Sequence, residues 1–326
     1  MELKNLWYYY ISFVLLLTQV PQAAAITTAE LADIIEQMES AIVDISMEYE
    51  CRVIPPPTHE ELEKEGGFEA LIAKDGYRRY KFSAAGLLSK EDPNVTDWNA
   101  PGQFLLEEWS TMVTKEQNEW DNTTKQAYNG QVGKSLTIGG WPPKEPRIAS
   151  ASVSYNKPYV YGNLTPLGFS VLRPAYFQGQ TPLSDRLRAR DKVRLDNVVK
   201  KIDGFNTIRA DLLTDFLYEG NRLVYMRIYF SVDHGYTPVK FEHMKGPEMV
   251  AASVNVESLE EVAEGLWFPV SGTFTIPGSD RVSTYQAISP ILVNQGFTDE
   301  HFDIDFPVGT KVYDEIQDRD YIVKQE

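Results

Sequence analysis

Between Asn221 and Met244 the chain reads NRLVYMRIYFSVDHGYTPVKFEHM, with apolar residues at Val224, Met226, Ile228, Phe230 and Val232. The positions between them, Tyr225, Arg227, Tyr229, Ser231 and Asp233, are polar or amphipathic. A period of two places the first set on one face of a β-strand and the second on the other, so one face is buried and one is wet. His234 to Pro238 supply turn residues, and Val239, Phe241 and His243 then alternate with Lys240 and Glu242. The pattern predicts an antiparallel hairpin.

Similar patterns run along most of the chain. Thr27-Thr28-Ala29-Glu30 has capping-box spacing, and Leu31, Ile34, Ile35, Met38, Ile42 and Ile45 recur behind it at helical intervals. An amphipathic helix is expected there, followed by an extended segment from Met47 to Val53 that ends at Pro55-Pro56-Pro57. Strands are expected at Tyr77–Phe82 after an Asp75-Gly76 turn, then at Trp109–Trp120 and Lys125–Tyr128 with a break at Asp121-Asn122. Asn129-Gly130 signals a hairpin, and Thr181-Pro182 has the cap and first residue of a short helix bearing Leu183 and Leu187. Phe205–Thr214, Val250–Val256, Gly265–Ile276 and Val282–Ile288 read as further strands. The last strands are expected at Phe302–Phe306 and Lys311–Val323, joined through Pro307-Val308-Gly309. The fold class that follows is α+β, mainly β: one continuous antiparallel meander with an N-terminal helix and a few short helices.

The first 25 residues have a different character. Lys4 precedes an apolar run from Ile11 to Leu17, Pro21 breaks it, and Ala23-Ala24-Ala25 offers a cleavage site. The run is shorter than the roughly 20 residues of a spanning helix, so an export signal is expected rather than an anchor. The expected mature chain is a single domain over residues 26–326, periplasmic or secreted and soluble after cleavage. Residues 139–182 lose the periodicity and hold Trp141, Tyr155, Tyr159, Tyr161, Phe169, Tyr176 and Phe177 among prolines and glycines. An irregular insertion of that length is either a lid or a surface loop pinned by its aromatics.

Charge narrows the function. A net charge of -16 and a pI near 4.8 exclude the basic surface that nucleic acid requires and disfavour charge docking on an anionic membrane. Cys51 is the sole cysteine, so no internal disulfide forms, and a buried, inert thiol is expected.

Catalytic signatures fail one by one. Neither a G-x-S-x-G elbow nor a G-x-G-x-x-G fingerprint is present. Gly130 to Ser135 resembles the end of a phosphate loop, but Tyr128 stands where its first glycine belongs. His59-Glu60 starts like a zinc-protease motif, with Glu63 in place of the second histidine. His301, Asp303 and Asp305 would share one face of a strand, which offers oxygen ligands to a hard cation but equally describes a wet acidic face. His234 reads as a turn residue. Glu257, Glu260, Glu261 and Glu264 could supply a carboxylate pair, yet they fit a solvated turn or short helix. No metal and no cofactor is expected.

The order of export signal, amphipathic helix and long meander with a lid-like interruption resembles the periplasmic lipoprotein-sorting carriers, the LolA-like proteins. The segments DHGYTPVKFE, EEVAEGLWFPVSG and FDIDFPVGTKVYDE are also similar to stretches in uncharacterised exported bacterial proteins of that class. The resemblance implies a large curved sheet, a half-barrel wrapped around helices, whose hollow holds acyl chains in the carriers. It implies a non-enzymatic exported binding or carrier protein for a lipid, a lipoprotein acyl group or another apolar ligand. On that reading Val224, Met226, Ile228 and Phe230 form the apolar wall, and Tyr159, Tyr161, Phe169 and Tyr176 the lid. Two alternatives stay open: an extracytoplasmic module with a filled core that binds protein or polysaccharide through aromatics such as Trp98 or Trp141, and a hydrolase with an unrecognised site.

Overall fold

The computed structural model describes residues 26–60, 72–85, 102–113, 118–139, 149–155, 183–218, 220–246 and 248–325. The expected export signal and the lid residues Tyr159, Tyr161, Phe169 and Tyr176 lie outside the described residues, as do Trp98, Trp141, Thr181 and Pro182.

The helix α1 (Thr28–Ala41) begins as its capping box requires. The Glu30 N–H donates to the Thr27 hydroxyl at 3.2 Å, and the Thr27 N–H donates back to the Glu30 carboxylate at 2.7 Å. Leu31, Ile35 and Met38 face the core. Ile42 is the C-cap and Ile45 already belongs to β1 (Asp44–Ile54), so the apolar stripe outlasts the helix. From Ile45 the burial alternates through Met47, Tyr49 and Cys51, which is strand periodicity.

Strand β1 is the spine of the sheet, with a neighbour on each side. On one side it pairs with β3 (Tyr77–Ala85), followed by β4 (Gln103–Val113), β5 (Glu119–Tyr128), β6 (Gly133–Ile138) and β7 (Ala149–Ser154) as an antiparallel meander. The short β2 (Ile72–Ala73) pairs with β4. Past β7 the chain's end is added: β16 (Lys311–Asp314) runs parallel to β7, and β17 (Arg319–Ile322) closes that edge. On its other side β1 pairs with β14 (Val282–Ala287) and β15 (Leu292–Val293). A second meander leads backward from β14 through β13 (Leu266–Thr275), β12 (Val250–Ala263), β11 (Thr237–Met244) and β10 (Asn221–Ser231). It ends with β9 (Phe205–Tyr218) and β8 (Val193–Ile202). No ladder joins β8 to β17 among the described residues, so the sheet of 17 strands is not closed into a barrel.

The main core lies where α1 and the short α2 (Leu183–Arg188) meet one face of this sheet. It joins Leu31, Ile35, Leu183 and Leu187 to Phe82, Phe104, Ile208, Ile228, Phe230 and Phe268. A smaller core under β5–β7 contains Leu136, Val153, Ile304 and Val312. Asp44 fastens the chain as it leaves β15: its buried carboxylate accepts the N–H groups of Gln295 and Gly296, each at 2.7 Å.

Several expected boundaries move. Asp121 and Asn122 do not break a strand; they sit within β5 opposite Thr111 and Ser110. The Thr111 hydroxyl donates to Asp121 at 3.1 Å, so these polar residues are satisfied within the ladder and need no turn. Phe302–Phe306 is not a strand: Asp299–Phe302 forms a 3-10 turn and the next residues join no ladder, although Phe302 and Ile304 are buried as the alternation requires. Glu257, Glu260 and Glu261 form neither turn nor helix, because β12 continues to Ala263 and reverses at Glu264-Gly265. The hairpin turn after β10 comes early, at Val232–Tyr236, with Gly235 and Tyr236 both at positive φ. Pro238 then lies in β11, opposite Phe230, where a bulge interrupts the register.

Candidate ligand-binding cleft

The site is set up by a helix too short to stand alone, since six residues cannot offset the cost of helix nucleation. Leu183 and Leu187 anchor α2 in the core with no surface exposed. Glu39 of α1 holds its first turn: its carboxylate accepts the Leu183 N–H at 2.9 Å, the Ser184 N–H at 3.4 Å and the Ser184 hydroxyl at 2.5 Å. Burial pushes the Glu39 carboxyl above the usual carboxylate range, and the hydrogen bonds from Ser184 and Leu183 oppose that push. At the other end of α2, Arg188 pairs with Asp33 at 2.8 Å and Glu36 at 2.6 Å. Helix α1 therefore fixes where α2 stands.

Opposite α2, strands β9 and β10 lose their simple register. Arg222 faces Leu217, Val224 faces Leu213 and Met226 faces Leu212, so the strands slip twice within five residues of β10. Bulges re-aim side chains that a regular strand would send to alternate faces. Here Leu212 with Leu213, and Leu223 with Val224 and Tyr225, all reach the same cleft. Its volume is about 580 Å³, inside the ~300–1,000 Å³ range of small-molecule sites.

Leu212 and Met244 form a buried floor, with Leu213, Leu223 and Val224 half-buried beside them. Arg186 of α2 and Tyr225 of β10 make a polar wall, the guanidinium donating to the tyrosine hydroxyl at 2.6 Å. Lys192, Lys245 and Asp185 complete the charged lining. Near the mouth Arg222 donates to the Thr214 carbonyl at 2.8 Å and pairs with Asp191 at 3.0 Å, tying the hairpin to the segment after α2.

Of the expected apolar wall, Val224 lines this cleft. Met226, Ile228 and Phe230 sit instead in the main core, where protein covers them. The remaining lining residues escape a reading by alternation. Their one signal is its failure, in the adjacent apolar pairs Leu212-Leu213 and Leu223-Val224.

A second cluster comes from four strands and has no signature in any one of them. Tyr49 and Tyr80 stack at 5.1 Å, Cys51 and Tyr285 hydrogen-bond, and Arg78 pairs with Glu108 at 2.9 Å. Burial raises the three tyrosine hydroxyls and the buried Cys51 thiol above their ordinary values, which favours the protonated thiol over the nucleophilic thiolate.

The other candidates do not converge. His234 sits in its turn, bonded to Ser231 at 2.7 Å and edge-on to Trp267. His301 stacks on Phe297, and Asp303 pairs with Lys134 at 2.6 Å. Among the described residues, no three histidine, cysteine or carboxylate side chains gather as metal ligands would. Glu261 accepts the Gly265 N–H at the β12–β13 turn.

No protein-family model and no curated protein matches the chain. Among solved structures it is similar to a DUF1329 family protein from Desulfovibrio piger, at 11% identity and a TM-score of 0.42, covering 85% of this chain and 95% of that one. It is similar to a Vibrio parahaemolyticus domain named for outer membrane lipoprotein sorting, at 9% identity and a TM-score of 0.42, covering 84% and 95%. A LolA superfamily protein from Nitrosomonas europaea is similar at 12% identity and a TM-score of 0.38, covering 86% and 99%.

Proposed function

We propose that this is an exported, non-enzymatic binding or carrier protein for a lipid, an acyl group or another apolar ligand, and that the cleft between α2 and β9–β11 holds that ligand. The observation that carries the reading is the cleft: an apolar floor of Leu212, Leu213, Val224 and Met244 under a polar wall. Such a combination favours a ligand with an apolar body, because removing its surface from water stabilises by about 25 cal/mol per Å² while a few polar groups orient it. Export rests on the N-terminal pattern from Lys4 to Ala25.

The test is the native mass of the protein purified without denaturant after export in a diderm bacterial host. A lipid-sized adduct removed by organic solvent is expected, and Val224→Asp should lose it while remaining folded. Val224 suits this test because it is half-buried at the cleft, whereas aspartate in place of Ile228 or Phe230 would disrupt the core. Adduct retention by Val224→Asp removes the cleft from the reading, and a protein that neither carries nor takes up any lipid removes the reading itself.

A second reading, an extracytoplasmic protein-interaction module, is favoured by three exposed side chains at neighbouring turns. Leu217 and Tyr218 are 63% and 57% exposed beside the β9–β10 turn, and Met249 is 61% exposed beside β11–β12. Partner binding that survives Val224→Asp and fails on replacing Leu217 and Tyr218 would select it.

A further inference from the structure

We propose that the outer face of the sheet, across β1, β3 and β4, binds a neutral saccharide against Trp109. This site lies on the side of the sheet away from the main core and stands independently of the cleft.

Strand register assembles it. Glu48 of β1 faces Lys81 of β3, Lys81 faces Glu107 of β4, and Glu107 faces Lys125 of β5, so charges alternate in sign across four strands. One step along the strands, Arg79 of β3 faces Trp109 of β4. A period of two puts these side chains on the face opposite Phe82, Phe104 and Leu106, which belong to the core. Glu48, Arg79, Lys81, Glu107 and Trp109 line an open hollow there of about 690 Å³.

The lining side chains hold one another in place. Arg79 pairs with Glu48, and its guanidinium stands 5.5 Å from the centre of the Trp109 ring. Lys125 pairs with Glu107 at 2.5 Å. Each of these ion pairs engages one carboxylate oxygen, whereas a carboxylate has about four lone-pair sites, so Glu48 and Glu107 can still accept from a ligand. Arg79 and Lys81 are both exposed and bring N–H donors to the same hollow.

The chemistry of the lining selects the ligand class. Two carboxylates stand against two cations, so their charges offset and an ionic ligand gains nothing net. Trp109 is the one apolar residue among the five, so an acyl chain or an apolar peptide would remove little surface from water. A saccharide matches both features. The C–H face of its ring rests on the negative face of an indole, while the hydroxyls around its edge both donate and accept. Polar groups already held by their own ion pairs lose little freedom when such a ligand arrives.

The test is calorimetric titration of the exported protein with maltohexaose, cellohexaose, N-acetylchitohexaose and hexagalacturonate, and with carboxymethylated lactalbumin as an unfolded polypeptide. At least one of the neutral hexasaccharides should bind, with an affinity that added salt leaves unchanged. Trp109→Ala should weaken that binding about tenfold, and Trp109→Phe less. Lys81→Gln should weaken it several-fold and, at an exposed position, leave the fold intact. Val224→Asp should not change it, which separates this site from the cleft. Binding indifferent to both Trp109→Ala and Lys81→Gln overturns the site. A preference for hexagalacturonate that fades with salt overturns the neutral class. Lactalbumin bound in place of every glycan, and lost on Trp109→Ala, overturns the saccharide in favour of a polypeptide. No binding by any of these probes overturns the proposal outright.

Discussion

Glu39 shows how one residue couples the two helices. It belongs to the buried face of α1, yet it is a carboxylate, and its partners are 144 and 145 residues away in α2. Its carboxyl is raised in the fold from an ordinary value of 4.5, mainly by burial. The folded chain then binds more protons than the unfolded chain at pH values just above 4.5. Its contribution to stability is thus complete below that pH and is lost as pH rises through the folded value. Glu39→Gln keeps the acceptor for the Leu183 and Ser184 N–H groups and turns its amide toward the Ser184 hydroxyl. Melting temperatures measured from pH 4 upward should fall less steeply in Glu39→Gln than in the parent, with an equal or higher value at neutrality. Parallel slopes would show that Glu39 does not titrate with folding. In the sequence the capping box of Thr27 and Glu30 was legible because both partners lie within one turn. Glu39 was not, because its partner lies on another element.

At the scale of elements, α2 is the piece that tertiary contacts must hold, since its six residues have little helical stability of their own. Leu187 is fully buried between α1 and the sheet. Leu187→Ala should cost about 2–5 kcal/mol by cavity formation. It should also weaken ligand uptake beyond what the stability loss explains, because Arg186 precedes it on α2 and lines the cleft. A denaturant midpoint paired with a binding titration checks both; a large stability loss with unchanged affinity would separate α2 from the site. The hairpins were readable where turn chemistry is local, as at Asn129-Gly130, whose asparagine side chain accepts the Gln131 and Val132 N–H groups at 3.0 and 2.9 Å. The slips between β9 and β10 were not readable, because register depends on the partner strand.

The whole molecule hangs on β1, which joins two meanders and brings β14 beside the chain's first strand. Its face carries Tyr49 and Cys51 into contact with Tyr80 of β3 and Tyr285 of β14. All three tyrosines are held above the ordinary value of 10.0, first by burial, while the more exposed Tyr229 is pushed up to about 12. In unfolded chains these hydroxyls ionise near 10, so the stability they contribute is complete below that pH and declines as pH rises above it. Denaturant midpoints should drop progressively above pH 10, with the part of the phenolate absorbance that belongs to the buried cluster appearing only as the chain unfolds. Free titration of every tyrosine in the folded protein would contradict this burial. The cluster gathers residues from β1, β3, β4 and β14, so it forms only when the sheet closes around β1.

The sequence by itself marked the first helix, many of the strands and several turns, because period, caps and turn chemistry act over a few neighbouring positions; it misread Phe302–Phe306 as a strand and passed over the strand Ala149–Ser154 inside the segment read as irregular. It also marked the apolar face of β10 for burial, and Met226, Ile228 and Phe230 are buried. Only the tertiary structure decided that those three fill the core while Val224 reaches the cleft, since that depends on where α2 ends and where two strands slip. It alone decided that β16 lies parallel to β7 and that a polar wall meets an apolar floor at the cleft. Local periodicity carries no information about such meetings, because their partners are brought together by loops and packing rather than by spacing.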